Sequence, residues 1–161
     1  MRGINIVGMG MDVEVLKAYS SLPKKTKVGY MKCLVKTLFK YDCITFDAEI
    51  DGDKKTYNSF IACIANGCCY GGGIPICPCA DPSDGKLDFL AVDKMSKIKV
   101  AFAFSKLKKG KILSLKQTFH KSGNAVEIFP EGHYTVNVDG ELYDDIPFKA
   151  KIVSGVLKMY R

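Results

Sequence analysis

Apolar and polar residues alternate with the two-residue period of a β-strand over much of this chain. From Ile44 to Ile50, apolar residues occupy every second position, which is typical of a strand with one buried face. The stretch 55–65 ends in an unbroken apolar run, so we expect a central strand buried on both faces. Similar strand patterns occupy residues 4–10, 87–92, 126–129, 134–138, 147–153 and 156–159.

The spacing of apolar residues becomes helical in three places. We expect Asp12 to cap a first helix, which Pro23 ends. A second, amphipathic helix is predicted over residues 30–39, where apolar side chains recur at helical spacing and lysines line the opposite side. A third, shorter helix is predicted at residues 98–107.

Many short strands separated by Gly, Pro and Asp turns predict a mainly β fold, a two-sheet β-sandwich. The helices add a short helical excursion near residues 12–40 and a short helix near residues 98–107. The chain has 161 residues, of which 47% are hydrophobic and 25% charged. That length suits one domain with a real core and is short for two, and the composition argues against disorder.

The net charge of +7 leaves two interpretations open. One is an ordinary lysine-rich surface, and the other is a face attracted to anionic lipid headgroups or nucleotide phosphates. The densest basic run contains Lys106, Lys108, Lys109 and Lys111, and it is either a solvated loop or a contact with an anionic membrane. We expect no nucleic-acid binding, because the lysines are spread out and no basic motif is interleaved with aromatic residues.

No segment approaches the ~20 apolar residues that span a bilayer, and the first residues lack the pattern of a signal peptide. We therefore expect a cytoplasmic protein, peripheral to the membrane. The seven cysteines form no paired C-x-x-C knuckle, and His120 and His133 lie far along the chain from them. The sequence predicts reduced, mostly buried thiols that behave as small hydrophobes, and not a zinc site.

Four motifs that contain glycine or acidic residues follow one another along the chain. They are Asn5-x-x-Gly8-x-Gly10-x-Asp12-x-x-Val15, Asn66-Gly67 with Tyr70-Gly71-Gly72-Gly73, Pro78-x-Ala80-x-x-x-Asp84-Gly85-x-Leu87, and Asp139-Gly140-Glu141. Each motif alone is weak, because Asp-Gly turns are common. In this order, they resemble the C-terminal domain of the soluble lipid kinases, the bacterial diacylglycerol kinase family that also includes sphingosine and ceramide kinases.

The resemblance implies one domain over residues 1–161, the substrate-side domain of a lipid kinase. In the parent enzymes this β-sandwich packs against an N-terminal nucleotide-binding domain, whose G-G-D-G-T motif this chain lacks. We therefore expect a split product or a shortened form, inactive without that domain or its separate chain. The implied cofactor is Mg²⁺, with ATP as co-substrate, and the implied partners are a lipid substrate and an anionic membrane surface. A homodimer is left open.

The resemblance also implies a structural magnesium loop at Asp81, Asp84 and Lys86. The Asp84 position would give its carboxylate, and Asp81 and Lys86 would give backbone carbonyls. Hard oxygen donors in a tight turn suit Mg²⁺. The alternative is that Asp84-Gly85 is only a hairpin turn.

Glu141 is the candidate proton acceptor, with Asp139 beside it. Transfer of a phosphoryl group to a lipid hydroxyl needs a carboxylate to orient or deprotonate the attacking oxygen. Residues i and i+2 of an extended segment point the same way, so both carboxylates could face one cleft. The sequence leaves open which of the two is the base, and a solvated Asp-Gly turn is the alternative.

Two other functions compete with the kinase domain. The first is a stand-alone lipid- or partner-binding module without chemistry, which the absence of the phosphate-binding motif and the basic charge favour. The second is a fragment of an NAD kinase, which fits the Pro78–Leu87 turn less well. The sequence does not choose among diacylglycerol, sphingosine-like bases and undecaprenol-like alcohols as the lipid.

Overall fold

The computed structural model describes residues 3–71 and 73–153, and within them nine strands and three α-helices form. The strands are β1 (Ile6–Gly10), β2 (Ile44–Ile50), β3 (Asp53–Ala65), β4 (Leu87–Asp93), β5 (Thr118–Gly123), β6 (Ala125–Pro130), β7 (Thr135–Val138), β8 (Glu141–Asp144) and β9 (Phe148–Lys151). The helices are α1 (Met11–Ser20), α2 (Lys27–Lys40) and α3 (Lys97–Lys108), and a single 3₁₀ turn spans Ile112–Ser114. The strand predicted at 156–159 lies outside the described residues.

The strands join in one antiparallel sheet that curls around a core, with β3 at its centre. Its order is β8-β7-β1-β3-β2-β6-β9, with β4 also paired to β3 and β5 paired to β4. Residues 53–59 of β3 pair with β2, and residues 61–65 pair with β1 and β4. The two layers of the predicted sandwich are therefore continuous through this one long strand. The mainly β prediction is confirmed.

The core lies inside the curl of the sheet. Phe46, Tyr57, Phe89 and Phe119 pack there as an aromatic cluster, with ring centroids 5.2–6.5 Å apart. The second half of β3 is buried on both faces, because the loop around residues 74–80 covers the face opposite this core. The prediction of a central strand at 55–65 is confirmed.

The helices begin and end close to the predicted positions, but the predicted cap of the first helix is wrong. Gly10, with φ of 105°, precedes α1, and Asp12 lies inside the first turn without capping it. A Cβ atom at residue 10 would lie 2.6 Å from the Phe60 carbonyl oxygen, so this close approach requires glycine. Thr26 caps α2 by accepting a hydrogen bond from the Gly29 N–H at 3.0 Å.

Sequence reasoning missed the strands β5 and β8. Both are short, carry mostly polar or half-exposed residues, and lie at edges of the sheet, where no alternating apolar pattern is required. Among the described residues, no helix combines the length and the apolar character needed to cross a bilayer.

Candidate functional site

Two of the three Asp-Gly turns, at Asp51-Gly52 and Asp139-Gly140, have the same geometry and use their carboxylates in the same way. Asp51 and Gly52 have φ of 51° and 92°, and Asp139 and Gly140 have φ of 52° and 104°, which suits two-residue hairpin turns. The Asp51 carboxylate accepts hydrogen bonds from backbone N–H groups at the start of β6, at 3.0 Å from Asn124 and 3.0 Å from Ala125. An aspartate at such a turn can therefore fix the strand beside it.

The Asp139 carboxylate fixes the chain that leads into β1. It accepts hydrogen bonds from the backbone N–H groups of Ile4 at 2.6 Å, Asn5 at 3.1 Å and Ile6 at 2.8 Å. Three donors take up most of the lone pairs of this carboxylate. Asp139 is thus a positioning group in this structure.

Glu141 is exposed at the start of β8, and Tyr143 donates a hydrogen bond from its hydroxyl to Glu141 Oε2 at 2.6 Å. This hydrogen bond raises the pKa of Tyr143. We expected Asp139 and Glu141 to point the same way because residues i and i+2 do so in an extended segment. Residues 139–140 form a turn instead, so this reason does not apply. One carboxylate faces the chain before β1, and the other faces Tyr143.

Asp12 is the carboxylate that sequence reasoning missed as a site residue. Its side chain is buried, and Oδ2 accepts a hydrogen bond from Asn137 Nδ2 at 3.1 Å, whereas Oδ1 has no partner among the described residues. Burial raises the pKa of Asp12 to about 6, against the smaller, opposite effect of the Asn137 hydrogen bond. The first glycine motif contains Asp12, and this could have identified it as a site residue. We instead interpreted Asp12 as the cap of the first helix.

Asn137 connects Asp12 to the Asp139 turn. The Asn137 amide donates to Asp12, and its carbonyl Oδ1 accepts a hydrogen bond from the Gly140 N–H at 2.8 Å. Gly8 leaves room for this arrangement, because a Cβ atom there would lie 2.5 Å from Asp12 Oδ2. The first and last of the four sequence motifs therefore meet at one place.

A polar cleft of about 170 Å³ opens beside these residues. Asp12, Asn137, Asp139 and Gly140 line one part of it, and the loop residues Tyr70 and Gly71 with Tyr30 of α2 line another. A Cβ atom on Gly71 would lie 2.9 Å from the Tyr30 hydroxyl, so the glycine lets this loop approach α2 closely. Burial, with the negative charge of Asp12 as a second cause, raises the pKa of Tyr30.

An apolar slot of about 60 Å³ adjoins the same carboxylate between the helices and the sheet. Asp12, Tyr30 and Tyr70 line both the slot and the polar cleft. The other walls are apolar side chains of α1, α2, α3, β3 and β4 and of the segments between them, among them Val15, Leu34, Leu38, Phe60, Val100 and Phe104. Asp12 therefore lies where an apolar slot meets a polar cleft.

A more voluminous cavity, about 370 Å³, lies elsewhere, between β1, β7 and β9. Among the described residues, no carboxylate, histidine or cysteine lines it. It contains none of the predicted site residues, so we place no chemistry there.

The predicted magnesium loop is an exposed, tight turn. The Asp81 carbonyl accepts from the Asp84 N–H at 3.2 Å, and Asp84 Oδ1 accepts from the Lys86 N–H at 2.8 Å. Asp81 Oδ1 accepts from Ser83, which lowers the pKa of Asp81. The donor set of one carboxylate and two carbonyls, all oxygen and within one turn, is chemically suited to Mg²⁺. The assignment of Mg²⁺ to this loop stays a prediction.

A family model for the YegS C-terminal NAD kinase beta sandwich-like domain matches residues 5–161. A diacylglycerol kinase of Mycobacterium tuberculosis is 26% identical over 136 residues, which cover 84% of this chain and 44% of that protein. A Staphylococcus epidermidis protein provisionally named a lipid kinase is 24% identical over 163 residues, which cover 97% of this chain and 52% of that protein. The chain thus spans about half the length of the curated relatives it matches.

The crystal structure of a Bacillus anthracis protein provisionally named a diacylglycerol kinase has the same fold. It superposes with a TM-score of 0.69 at 22% identity, over 95% of this chain and 50% of that one. The resemblance drawn from the four motifs is confirmed by the family model and by the names of these relatives. Because that model covers nearly the whole sequence, the chain belongs to the family of YegS C-terminal, NAD kinase beta sandwich-like domains.

Proposed function

We propose that this chain is the substrate-side domain of an ATP-dependent lipid kinase that phosphorylates a lipid hydroxyl such as that of diacylglycerol. The observation that carries the proposal is the apolar slot that Asp12 lines, together with the buried Asp12 Oδ1, which has no partner among the described residues. An apolar slot with a few polar side chains in its wall suits a ligand with a long hydrocarbon chain and a free hydroxyl. The diacylglycerol and lipid kinases among the relatives support the same class of substrate.

In this proposal, Asp12 orients the lipid hydroxyl. The hydroxyl would donate to Asp12 Oδ1 and so give this buried oxygen the partner that it lacks among the described residues. During transfer, the hydroxyl oxygen forms a bond to the γ-phosphorus of ATP, the bond from that phosphorus to ADP breaks, and the hydroxyl proton passes to a carboxylate. Glu141 is the proton acceptor that we predict from the family resemblance, so the bound hydroxyl would have to turn its O–H bond from Asp12 towards Glu141 before transfer. Asp139 and Asn137 hold the surrounding turn.

ATP would be bound mainly by a separate nucleotide-binding domain, and the chain alone should be inactive. Mg²⁺ at the Asp84 turn would have a structural role, because it would tie the Asp84 carboxylate to the carbonyls of Asp81 and Lys86 within one loop. The slot of about 60 Å³ is much smaller than the roughly 300 Å³ of a typical ligand pocket. Lipid entry therefore requires the walls of the slot to move apart.

An anionic membrane surface is the partner from which the lipid would enter. On α3, Ile98 and Phe102 are four residues apart, so they share a helix face, and they are 74% and 71% exposed. On α2, Val28, Val35 and Phe39 form a second exposed apolar stripe at helical spacing. Both helices also carry lysines and line the slot, which supports contact with anionic headgroups beside the lipid path.

Recognition of the hydroxyl tests the proposal on this chain directly. We would measure binding of a fluorescent diacylglycerol and of the same lipid with its hydroxyl acetylated, both in detergent micelles. We expect the wild type to prefer the free hydroxyl by at least about tenfold, and Asp12→Asn to lose most of that preference. Asp42→Asn, which removes an exposed carboxylate from the loop before β2, is the matched control. Equal affinity of the wild type for both lipids would contradict the role of Asp12.

A fusion tests the kinase half of the proposal. The chain would be joined to the nucleotide-binding part of the Mycobacterium tuberculosis diacylglycerol kinase and assayed for transfer of phosphate from ATP to diacylglycerol. We expect activity in the fusion and none in the chain alone. Glu141→Gln should lower kcat with little effect on KM if Glu141 is the base. Lipid binding by the chain together with an inactive fusion would favour the stand-alone binding module.

A further inference from the structure

Four side chains with metal-ligating atoms converge between the 77–80 turn and the strands β4 and β5. The group consists of Cys77, Cys79, Asp88 and His120, and all its ligand atoms lie within 4.8 Å of one another. The distances are 3.7 Å between the two sulfur atoms, 3.2 Å from Cys79 Sγ to His120 Nε2, and 2.7 Å from His120 Nε2 to Asp88 Oδ1. His120 is far from the cysteines along the chain, but the fold brings it to 3.2 Å from Cys79 Sγ.

The fold builds this group from two local features. The turn at residues 77–80, closed by a hydrogen bond from the Ala80 N–H to the Cys77 carbonyl at 3.0 Å, brings the two thiols together. In the ladder between β4 and β5, Asp88 pairs with Ser122 and Leu90 pairs with His120, so Asp88 and His120 are diagonal neighbours on one face. The ladder and the turn belong to different parts of the sequence, which explains why spacing alone did not reveal the group.

The contacts are those of a ligand set and not of a catalytic relay. Cys79 Sγ and Asp88 Oδ1 both approach the same ring nitrogen, Nε2 of His120. In a nucleophile–histidine–carboxylate triad, the carboxylate bonds to the opposite ring nitrogen and so orients the base. The 2.7 Å contact between Asp88 and His120 is a direct hydrogen bond. A cation bound among the four atoms would replace it and separate this oxygen and nitrogen to about 3.4 Å, the distance between two tetrahedral zinc ligands.

We infer that Cys77, Cys79, Asp88 and His120 form a tetrahedral site for a thiophilic divalent cation, Zn²⁺. A zinc–sulfur bond of about 2.3 Å gives about 3.8 Å between two sulfur atoms in a tetrahedron, and the observed separation is 3.7 Å. Sulfur and imidazole ligands select zinc, whereas Mg²⁺ prefers oxygen. Ser122 donates a hydrogen bond to Asp88 and provides the outer-shell support that metal-binding carboxylates have.

Two of the four proposed ligands lie in the interior of the protein. Cys77 is fully buried and Asp88 is 3% exposed. A bound cation would hold the Cys77 sulfur as a thiolate, because only the deprotonated thiol is a metal ligand. Zn²⁺ bound here would tie the 77–80 turn to β4 and β5, directly before the Asp81–Lys86 loop. This inference does not depend on the proposed kinase function.

The test is a metal titration of the reduced, chelator-treated chain with Zn²⁺ alone, in competition with a chromophoric chelator, followed by substitution with Co²⁺. We expect one Zn²⁺ per chain, release of protons from the two thiols, and a rise in the thermal midpoint. Co²⁺ should give a thiolate-to-cobalt charge-transfer band and the strong visible bands of tetrahedral cobalt. An excess of Mg²⁺ should not displace either metal.

Variants of the two less buried ligands keep the test independent of folding. Cys79→Ser and His120→Gln should each weaken Zn²⁺ binding at least about 100-fold, since loss of even an outer-shell partner costs about 10- to 100-fold. His133→Gln is the matched control, because His133 pairs with Asp145 at 2.6 Å on the surface. Unchanged Zn²⁺ affinity in Cys79→Ser and His120→Gln, or a Co²⁺ spectrum without thiolate character, would overturn the inference.

Discussion

Replacement of Asp12 by asparagine should remove a pH dependence of stability that burial imposes on the folded protein. Burial is the largest cause of the rise in the pKa of Asp12 from 3.8 to about 6. Because the folded-state pKa lies above the unfolded one, the folded state binds more protons between these two values. Stability from this group is therefore fully present below pH 3.8 and is lost as the pH rises through about 6.

The size of the effect follows from the shift. A change from 3.8 to about 6 corresponds to about 3 kcal/mol, at about 1.4 kcal/mol for each pKa unit. The asparagine side chain of the variant cannot titrate, so the free energy of unfolding of the variant minus that of the wild type should rise by about 3 kcal/mol across this pH range. The difference in the free energy of unfolding at any single pH is less informative than its change with pH. The new amide group also lacks a partner at the former Oδ1 position, which destabilises the variant at every pH.

Urea unfolding of both proteins at a series of pH values measures this difference. Asp42→Asn, on an exposed loop, controls for the loss of one carboxylate. The free energy of unfolding of Asp12→Asn minus that of the wild type should rise with pH. If this difference is constant or falls with rising pH, burial is not the main influence on the pKa of Asp12. Saturating diacylglycerol should stabilise the wild type more than the variant at neutral pH. The single side-chain oxygen of the variant would accept the hydrogen bond from Asn137, which leaves an NH2 group in the position of Oδ1.

Two further predictions concern the turn at residues 139–141 and the surface of α3. Asp139→Ala should lower the free energy of unfolding by about 2–3 kcal/mol in urea titrations, because three backbone N–H groups lose a charged acceptor. The exposed Glu141→Gln should change it by less than about 0.5 kcal/mol, and a similar loss in both would contradict a clamping role for Asp139. Ile98→Ser with Phe102→Ser should weaken sedimentation with anionic vesicles at least about tenfold, since each side chain can contribute about 1.5–3 kcal/mol when buried. Phe129→Ser on β6, also exposed, should retain binding, and equal losses would show that the α3 surface is not the contact.

The sequence predicted the centre of the fold better than its edges. Ile44 to Ile50 matches β2 at both ends, because one face of that strand packs in the core and enforces alternation. The burial of β3 on both faces was equally predictable from its unbroken apolar run. By contrast, β5 needs few apolar residues at its edge position, and its polar face carries His120 and Ser122 beside Asp88. In β5 only Phe119 packs against the core, so its sequence has no alternating apolar pattern.

The sequence predicted the motifs that form the site but not the contacts between them. The motif that contains Asp139 was recognised, yet its carboxylate serves the backbone at residues 4–6, more than 130 residues away in sequence. Asp12 looked like a helix cap, since an acidic residue before a helical pattern is common there. Only the fold shows that Gly10 takes the cap position and that Asn137 reaches Asp12 from β7. Pairing across the sheet therefore carries the information that local spacing lacks.

The carboxylates at the cleft are distinguished by their surroundings, and this distinction bears on which of them can receive the lipid. A carboxylate that already accepts three backbone hydrogen bonds, as Asp139 does, would have to release the chain before β1 in order to bind a hydroxyl. Asp12 needs no such release, because Oδ1 has no protein donor among the described residues and the residue lines both the slot and the cleft. Binding of a hydroxyl there would satisfy a buried acceptor, which is worth more than a bond made in water. We therefore expect lipid recognition to depend on Asp12, and Asp139 to act through the position of the turn that carries Glu141.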